Sequence, residues 1–590
     1  MIESNPQEYY TQRINDLTGQ YQVRKQRYNQ IATARLLVAL IAAIAIYAVW
    51  GGDWRTILVI VIIALAIFLK LVAMSTTLKQ ELTNLQTLIS INKEEIETIN
   101  GNYTHRFDGA AFEPAHHPYA QDLDIFGKAS LFQYIHRSTS EQGHELLAQW
   151  LLQPADKATI EERQHSSKEL YRFTEWRQQL QAFGSTRPIT FSIQGTLSNW
   201  LAQPHYFITY AVWKYARFIL PAISLSFLVL HIAGIVHAGL FYSMVLIFLA
   251  GSGFISKLVT PQYIQLSKHI AQLETLGQSL KWIEECPSDT LRTTDKASAE
   301  VRALKRILDR MDYRLNPPVF ILLNIFFFWD LQQILQLEQW KAQHKNKIND
   351  WFRSIALMEA LSSLSTTSFN HPGWAYPVIR PDWFKLVCED AGHPLILPSK
   401  SVSNSFSMEG HPQLAFITGS NMAGKSTFLR TIGTNLVLAM AGAPVCATKF
   451  ETPVLHVMTS MRIADNLEES ASTFYAELQK LKMILDAVKA GNDRVFLLLD
   501  EILRGTNSLD RHTGSEALIK QLIKEDATGI IASHDLSLAQ LQEQYPNVIR
   551  NYHFDVTIIG NELSFDYRLK DGVCQTLNAT LLMRKIGIEL

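Results

Sequence analysis

The feature that most restricts the fold of this chain is a run of 39 residues, Phe218 to Ser256, without Asp, Glu, Lys or Arg. A helix needs about 20 apolar residues to cross the hydrocarbon layer of a bilayer. The run has the length of two spans, and His237, Ala238 and Gly239 near its middle provide a turn. The alternative is a pair of buried core helices, but few soluble cores need so long an uncharged run. We therefore predict a transmembrane hairpin at about 218–256.

A second hairpin is predicted nearer the start of the chain. Leu36 to Gly52 carries no charge, and Thr56 to Leu78 contains only Lys70. Lys70 can extend its side chain to the membrane interface when it lies near the end of a span. We predict spans at about 36–52 and 56–75. Apolar residues at three- and four-residue steps predict that the second helix continues to Ile99.

Basic residues indicate the orientation of both hairpins. Those flanking the first are Arg24, Lys25, Arg27, Arg35 and Lys79, and those flanking the second are Lys214, Arg217 and Lys257. Loops rich in Lys and Arg remain in the cytoplasm. The N-terminus also lacks the basic-then-apolar pattern of a cleaved signal peptide. The pattern predicts a multi-pass membrane protein whose N-terminus, middle segment and C-terminal region lie in the cytoplasm.

A third apolar stretch, Pro317 to Trp329, is too short to span a bilayer unaided, which favours a buried or interfacial helix. Overall charge is balanced, with 54 Lys plus Arg against 55 Asp plus Glu, so the chain lacks the general basic excess of a non-specific nucleic-acid binder. The four cysteines are far apart in sequence and suggest neither a zinc site nor a disulfide framework. A reducing compartment fits this cysteine usage.

A phosphate-binding loop is predicted in the C-terminal region. The pattern G-x-x-x-x-G-K-[ST] lies between the apolar run Leu414–Thr418 and a helical pattern, which is the context this motif requires. Its residues are Gly419, Ser420, Asn421, Met422, Ala423, Gly424, Lys425, Ser426 and Thr427. Backbone N–H groups of such a loop bind phosphate, and the helix N-terminus adds its dipole. We predict ATP here, with Lys425 at the β- and γ-phosphates and Ser426 as a ligand of Mg²⁺.

Polar side chains follow two further strand-like runs. Val495 to Leu499 is entirely apolar and is followed directly by Asp500 and Glu501, while Gly529 to Ala532 leads to His534. Ligands bind at the carboxyl ends of strands in such sheets. We predict that Asp500 holds Mg²⁺ through water and that Glu501 orients or deprotonates the attacking water. A histidine such as His534 can contact the γ-phosphate or that water and report nucleotide state. Taken alone it is better explained by a structural role, but the two preceding motifs favour a functional one.

These patterns predict a multidomain protein. It has helical membrane hairpins, a long α-helical middle region, and a C-terminal α/β P-loop ATPase domain. The predicted boundaries are 1–104 for the N-terminal hairpin and the helix that follows it. The predicted helical middle region covers residues 105–375 and includes the second hairpin, and the predicted ATPase domain covers residues 376–590.

The stretch TGSNMAGKSTFLRTIGTNLVLAMAGAPVCA resembles the nucleotide loop of the MutS family of DNA mismatch-repair ATPases. Other segments are similar to this family in the same order. They are 122–154, 391–404, 465–477, 500–508 and 532–534. The resemblance implies that Asn404 lies near adenine and that Ser472 contacts the γ-phosphate bound by a second subunit. It further implies that the ATPase domain is of the ABC-like, MutS type and that residues 105–375 form the family's helical core and lever. A homodimer with ATP between two ATPase domains and a switch role for His534 are also implied.

The sequence also departs from the family. Ala423 stands where a further glycine is common, and Glu468-Glu469 replaces a more neutral or basic stretch. The first 100 residues hold a hairpin rather than a domain with a Phe-x-Glu wedge, and Phe112-Glu113 has the wrong spacing for that wedge. Little room remains before Leu590 for the family's C-terminal dimerisation helices. These departures make DNA binding, and mismatch reading above all, the least secure implication of the resemblance.

Two further groups of residues have structural alternatives. His105, Asp108, His116 and His117 suggest a metal cluster, but a polar loop explains them better because helix spacing is absent. The basic residues of a later helical region are Lys296, Arg302, Lys305, Arg306, Arg310, Arg314, Lys341, Lys345 and Lys347. They predict a solvated helix face or, alternatively, contact with the phosphate backbone of nucleic acid or with anionic lipid.

We therefore predict a membrane-anchored ATPase in which ATP binding closes a homodimer and hydrolysis reopens it. One hypothesis is that this movement acts on DNA, as the resemblance implies. The alternative is a membrane-coupled mechanical ATPase that does not bind DNA. A nucleotide-gated scaffold with little turnover is disfavoured by the presence of Glu501. The sequence does not identify any partner protein.

Overall fold

The structure is a computed structural model that describes residues 5–293, 295–380, 384–420, 423–461, 473–490, 494–504, 506–559 and 562–574. The chain forms two compact units. The first comprises Met1–Arg137, Glu145–Thr174 and Leu361–Leu590, and the second comprises Ser138–His144 and Glu175–Ala360. Each unit is made of separate stretches of the sequence. The domain boundaries after residues 104 and 375, which we placed from the order of the motifs, stay a prediction.

The first unit begins with a helical hairpin of α1 (Pro6–Ala48) and α2 (Trp54–Ile99). Side chains bond across it in the pairs Gln7–Asn100, Tyr21–Gln86 and Arg24–Glu81. Partner numbers rise along one helix as they fall along the other, so the helices run antiparallel. The turn at 49–53 and the continuation of α2 to Ile99 confirm the sequence prediction of two helices here. The helical conformation of the polar residues before Leu36 was not predicted.

A buried polar network fixes the base of this hairpin. Glu95 of α2 pairs with Arg137 through both carboxylate oxygens, and the distance from Arg137 Nη2 to Glu95 Oε2 is 2.8 Å. The Asn370 amide donates to Glu95 Oε2 at 2.8 Å, and the Tyr10 hydroxyl of α1 donates to Asn370 Oδ1 at 2.7 Å. All four side chains are buried. The network thus joins both helices of the hairpin to the remainder of the first unit.

The next helices along the chain are α3 (Leu131–Ile135), α4 (Glu141–Leu152), α5 (Lys157–Tyr171), α6 (Thr174–Thr186) and α7 (Phe191–Ala202). They are followed by α8 (Ala211–Ile232), α9 (Ala238–Ser267), α10 (Ile270–Glu284), α11 (Ala297–Met311), α12 (Pro317–Phe327), α13 (Trp329–His344) and α14 (Ile348–Asn370). Helices α7 to α13 lie wholly within the second unit. Short 3₁₀ helices cover Ala110–Phe112, Asp312–Leu315 and Leu536–Gln540.

Four of the described helices are long and apolar enough to cross a membrane by length and composition, namely α1, α2, α8 and α9. The apolar windows of α1 and α2 have no buried residues. The turn between α8 and α9 covers residues 233–237, close to the predicted position. Helices α12 and α13 also meet these criteria when taken as a pair, but they are bent by 80° at Phe328. Exposed Ile321 and Leu322 make α12 an unsuitable core helix.

The C-terminal region contains two sheets. In chain order the strands are β1 (Val378–Ile379), β2 (Lys385–Ala391), β3 (Asn404–Glu409), β4 (Leu414–Thr418), β5 (Lys449–Thr452), β6 (His456–Ser460), β7 (Val495–Asp500), β8 (Thr528–Ser533), β9 (Ile549–Ile559) and β10 (Glu562–Asp571). One sheet has the order β1-β5-β2-β3, and the other has the order β10-β9-β4-β8-β7-β6. In the larger sheet, only the β9–β10 pair is antiparallel among the described strands.

Helices cover both faces of the larger sheet. They are α15 (Lys425–Ala441), α16 (Thr473–Lys489), α17 (Ser508–Lys524) and α18 (Leu541–Gln544). Leu481 and Ile519 place α16 and α17 in one apolar core with strands β4, β7 and β8. Helix α15 approaches so closely that a Cβ on Gly433 would lie 2.8 Å from Leu498. Every residue of β4, β7 and β8 is buried, which confirms the three strands predicted from their apolar runs.

Candidate functional site

Three strand ends meet at one edge of the larger sheet. Strands β4, β8 and β7 are adjacent and parallel, with Thr418 paired to Ser533 and Asp500 paired to Ala532. The loop that begins at Gly419, the Asp500-Glu501 pair and His534 therefore emerge side by side. This edge is where open parallel sheets bind their ligands.

Backbone geometry explains both glycines of the loop. Gly419 has φ +141°, and a Cβ there would lie 2.8 Å from the carbonyl oxygen of Phe554. Gly424 has φ +103° and caps the N-terminus of α15. Side chains rarely adopt such angles, whereas glycine does so at little cost. Ala423, where the MutS family commonly has glycine, is fully buried, so its methyl group is accommodated.

Lys425 is the first residue of α15, and its side chain is held inside the loop. It is 1 % exposed, and Nζ donates a hydrogen bond of 2.6 Å to the carbonyl oxygen of Gly419. Burial lowers the pKa of Lys425, while the charges of Glu501 and Asp500 act in the opposite direction. A buried ammonium group at a helix N-terminus attracts anions.

The Asp500 carboxylate lies beside Ser426. It is 5 % exposed, and burial raises its pKa, while a hydrogen bond from the Ser426 hydroxyl opposes part of that rise. Among the described residues, Asp500 Oδ1 is buried without a hydrogen-bond partner. A buried oxygen with an unused lone pair is costly unless it serves a ligand. The two predicted magnesium ligands are thus brought together.

Glu501 and His534 face each other across the same edge. Glu501 has φ +48°, a sparsely populated conformation for a side chain of this type. Its Oε1 lies 3.8 Å from His534 Nδ1, and its Oε2 lies 3.1 Å from Arg504 Nε. Arg504 Nη2 also lies 3.5 Å from Asp500 Oδ2. One guanidinium therefore contacts both carboxylates.

Glu477 of α16 holds the segment after β7. Its Oε1 accepts a hydrogen bond of 2.6 Å from the backbone N–H of Leu503, which has φ +60°. Glu477 is itself buried. Because this segment includes Glu501, Glu477 helps to fix the unusual backbone on which the predicted catalytic carboxylate depends.

A cavity of 310 Å³ opens beside the loop and is lined by Asn404, Gly424, Thr427, Phe428 and Tyr567, among others. The Asn404 amide donates to Tyr567 O at 3.0 Å and accepts from the N–H of Leu569 at 2.8 Å. These bonds hold β10 where its register shifts and Tyr567 adopts φ +51°. Asn404 therefore shapes the cavity through β10 as well as lining it.

The remaining predicted site residues occupy different positions. Ser420 is half-buried and Thr427 is exposed. Asn421, Met422 and Ser472 lie outside the described residues. Arg504 and Glu477 lie in the segments 500–508 and 465–477 that resemble the MutS family, but sequence reasoning gave neither residue a role. Tyr567 left no signal, because it reaches the loop only through the fold of β10.

The weaker candidates have structural explanations. Within the described part of the chain, no group of three or more His, Cys, Asp or Glu could hold a metal ion. His117 Nε2 is hydrogen-bonded to Leu152 O at 3.1 Å. Phe112 packs against the rings of Phe107, Phe126 and Phe132. These contacts favour the polar-loop and chance explanations of the two patterns.

Comparison with known proteins supports the resemblance in the C-terminal region. Residues 415–583 match the family described as MutS domain V. This match includes the loop, the strands β7 and β8, and the carboxylates at the sheet edge. It covers less than a third of the chain and does not extend to either hairpin.

Curated relatives give the same picture. The DNA mismatch repair protein MutS of Thermotoga maritima is 30% identical over 251 residues, which are 42% of this chain and 30% of that protein. The DNA mismatch repair protein MSH4 of Arabidopsis thaliana is 34% identical over 243 residues, 40% of this chain and 30% of that protein. The chain thus covers about 30% of the length of these relatives.

Proposed function

We propose that this chain is a membrane-anchored ATPase related to the mismatch-repair ATPases, and that it binds and hydrolyses ATP at the edge of the larger sheet. One observation carries the proposal. The buried Asp500 carboxylate, with one unpartnered oxygen, contacts Ser426 directly after the loop that encloses Lys425. Such a set of phosphate-binding and metal-binding groups is otherwise hard to explain in a protein interior.

The residues present fit a magnesium ion. Asp500 Oδ1 is the free buried oxygen, and Ser426 supplies a hydroxyl next to it. Oxygen ligands of this kind suit Mg²⁺, which is usually held by one or two protein groups together with substrate phosphates. When bound, the ion would neutralise charge on the phosphates and so favour transfer of the terminal phosphoryl group.

The protein groups would divide the remaining tasks. Lys425 and the backbone N–H groups at the start of α15 bind and orient the phosphates. Glu501 orients the attacking water or accepts its proton, and its position is set by the backbone that Glu477 holds. His534 is close enough to Glu501 to respond to the same water or to the γ-phosphate. The cavity next to Asn404 accepts the base.

The resemblance to MutS proteins supports a homodimer. A serine at the position of Ser472 would complete the site of a second copy, so ATP binding would close the dimer and hydrolysis would open it. Both hairpins would lie in the bilayer, with the termini and the ATPase region in the cytoplasm. The four apolar helices and the basic residues that flank them support this topology.

Closure and opening of the dimer would act on DNA if this chain shares the mismatch-repair function after which its relatives are named. The alternative is a membrane-coupled mechanical ATPase that does not bind DNA. It is favoured by the extent of the matches, which cover about 30% of each relative. It is also favoured by the near-neutral charge of the chain.

Variants of two site residues test the ATPase. Lys425→Ala should weaken ATP binding by at least about tenfold, because a desolvated charge at the phosphates is lost. Glu501→Ala should retain ATP and trap the closed dimer, with turnover reduced about 100-fold or more. Exposed Glu543, changed to alanine, is the control. Equilibrium binding of labelled ATP, turnover and dimer mass are the measurements, and undiminished turnover of the Glu501 variant would refute its role.

Salt-dependent binding to DNA separates the two versions of the function. The detergent-solubilised full chain is titrated with homoduplex, mismatched and branched DNA at several salt concentrations. A DNA-binding protein would show affinity that falls steeply with salt. Absence of binding to all three at low salt would eliminate the DNA version and leave the membrane-coupled ATPase.

A further inference from the structure

Helix α11 in the second unit presents an exposed basic face. Its buried residues include Val301, Leu304 and Leu308, so the opposite face is fixed toward solvent. Arg302, Arg306 and Arg310 follow one another at four-residue steps on that exposed face. Residues at this spacing lie above one another along a helix, so the three guanidinium groups form a stripe.

The charges of this stripe are not neutralised by the part of the chain that the structure describes. Lys305 pairs with Asp309 at 3.0 Å. No carboxylate of the described residues lies within 4.0 Å of the guanidinium of Arg302, Arg306 or Arg310. Among the described residues, their hydrogen bonds go to neutral groups, such as the Gln336 side chain for Arg310. The stripe therefore remains available to an anionic partner.

An exposed apolar helix follows the stripe directly. Helix α12 consists entirely of uncharged residues, and Val319, Ile321, Leu322 and Phe327 are each at least 39% exposed. It is only 11 residues long. At about 1.5 Å per residue it is too short to cross a bilayer. Its sharp angle to α13 instead suits a helix lying near the plane of a membrane surface.

Aromatic side chains mark the junction of the stripe and the apolar helix. Tyr313 and Trp329 lie on either side of α12 in sequence, and their ring centroids are 5.7 Å apart. The Trp329 indole donates to the carbonyl oxygen of Arg310 at 2.9 Å. Tyr and Trp favour the headgroup level of a bilayer. Arg310 is thus held next to the two residue types that mark such an interface.

Contacts with α8 and α9 place this junction at the end of the second hairpin. The Ser256 hydroxyl of α9 donates to Asp330, and Tyr263 OH of α9 donates to Asp312 at 2.8 Å. Ser256 is the last residue of the uncharged run. Near the C-terminal end of α12, Ile325 O accepts from Ser224 of α8 at 3.0 Å. Arg310, the aromatic pair and the end of the uncharged run in α9 are therefore close together in the second unit.

We propose that α11 and α12 form a docking surface for anionic phospholipid headgroups, with Arg306 and Arg310 at the lipid phosphates and α12 in the outer acyl region. This inference rests on the proposed membrane insertion of α8 and α9. Arg314 does not contribute to headgroup binding, because it forms a buried pair with Asp330 at 2.6 Å. The basic helix is thus assigned to lipid rather than to a solvated face or a nucleic acid.

Charge alone would also attract DNA, but the neighbouring surface argues against it. Nucleic-acid interfaces are polar and strongly positive. A duplex lying on the stripe would adjoin the exposed apolar residues of α12 without covering them with apolar groups. A bilayer matches both parts, because its phosphates meet the arginines and its acyl chains meet the apolar helix.

The test measures lipid preference of the purified full chain. The chain is incubated in mixed micelles with equimolar phosphatidylglycerol and phosphatidylcholine, and the retained lipids are counted by native mass spectrometry. A basic residue near an anionic surface gives about a fivefold preference. The chain should therefore retain an excess of phosphatidylglycerol, and R306E/R310E should lose that excess by at least about fivefold.

Two matched variants accompany it. K482E/K489E makes the same charge change at exposed positions of α16 and should keep the parental lipid ratio. R306Q/R310Q removes the charges without reversal and should give an intermediate loss, which keeps the test valid if the reversed variant folds poorly. Circular dichroism checks that each variant is folded.

Each outcome decides between explanations. An equal ratio of the two lipids in the parent and in every variant would overturn the lipid surface while leaving membrane anchoring intact. A chain that stays soluble without detergent and retains neither lipid would refute the proposed anchoring itself. Duplex DNA binding that R306E/R310E abolishes without changing the lipid ratio would assign the stripe to nucleic acid and overturn the inference.

Discussion

Two buried carboxylates in the first unit have opposite surroundings. Glu95 at the base of the first hairpin accepts hydrogen bonds from Arg137 and Asn370, whereas Asp500 at the sheet edge has one oxygen with no partner among the described residues. Although burial acts to raise it, the pKa of Glu95 is held below its ordinary value, chiefly by Arg137. The pKa of Asp500 is raised by burial.

This difference distinguishes a buried carboxylate with a structural role from one with a functional role. A buried carboxylate that is fully paired organises its neighbours, and removing one partner is costly. A buried carboxylate that is left incomplete is costly in the free protein and is retained because a ligand completes it. By this criterion Glu95 is a structural carboxylate, and Asp500 is a candidate ligand of the proposed Mg²⁺.

Among the variants that test this difference, Asp500→Asn should have the largest effect. Loss of the charge should reduce ATP hydrolysis by about 100-fold or more, because the magnesium ligand is weakened. The same change should raise the unfolding temperature of the nucleotide-free protein at neutral pH. A carboxyl group whose folded pKa is raised loses stability as pH rises from its unfolded pKa through its folded pKa, and asparagine lacks this loss.

The measurements are turnover with saturating Mg²⁺ and thermal unfolding of the nucleotide-free chain at acidic and neutral pH. The stabilisation of the Asn variant over the parent should be larger at neutral pH. A variant that is less stable than the parent at neutral pH would show that Asp500 has a structural role like that of Glu95.

Glu95→Gln should have the reverse effect. It leaves Arg137 buried without its counter-ion, which typically costs about 3–5 kcal/mol, while the sheet edge is untouched. The apparent unfolding temperature should fall clearly, and turnover per folded molecule should change by less than about twofold. The double variant Glu95→Gln, Arg137→Met should be more stable than the single variant, since it removes the unpaired charge. A larger loss in the double variant would contradict this account.

Asn404→Ala should have a smaller effect, and it tests a fully paired side chain that lies beside the site. Asn404 is paired like Glu95 but lies beside the nucleotide cavity, where it holds Tyr567 and Leu569. Loss of about one net hydrogen bond should weaken ATP affinity about fivefold and leave the maximal turnover rate nearly unchanged. Calorimetric titration of ATP measures the affinity. An unchanged affinity would show that β10 keeps its place without this amide.

Much of the sheet edge could be predicted from the sequence. Runs of apolar residues before Gly419 and before Asp500 predicted buried parallel strands. The carboxyl ends of parallel strands lie at the same edge of a sheet. The two helix turns were also predictable, because charge and glycine interrupt otherwise continuous apolar runs.

Other parts left no local pattern. The polar half of α1 is helical because it packs along α2, and its own apolar periodicity is weak. Glu95, Arg137 and Asn370 are separated by 42 to 275 residues, so their pairing is visible only in the fold. The role of Tyr567 likewise depends on a register shift far from the loop.

The first hairpin has a geometric consequence beyond anchoring. Tyr10 marks its base and Leu36 the start of its apolar run, and the 26 helical residues from one to the other extend about 40 Å. In a bilayer, this stalk, residues 10–36 of α1, would hold the proposed nucleotide site of every copy at a similar height above the lipid. Two copies would then meet by lateral diffusion in the membrane, with their sites at the same distance from the lipid surface. Confinement to this layer would raise their effective concentration. The stalk would thus promote pairing of the two half-sites without adding any contact between them.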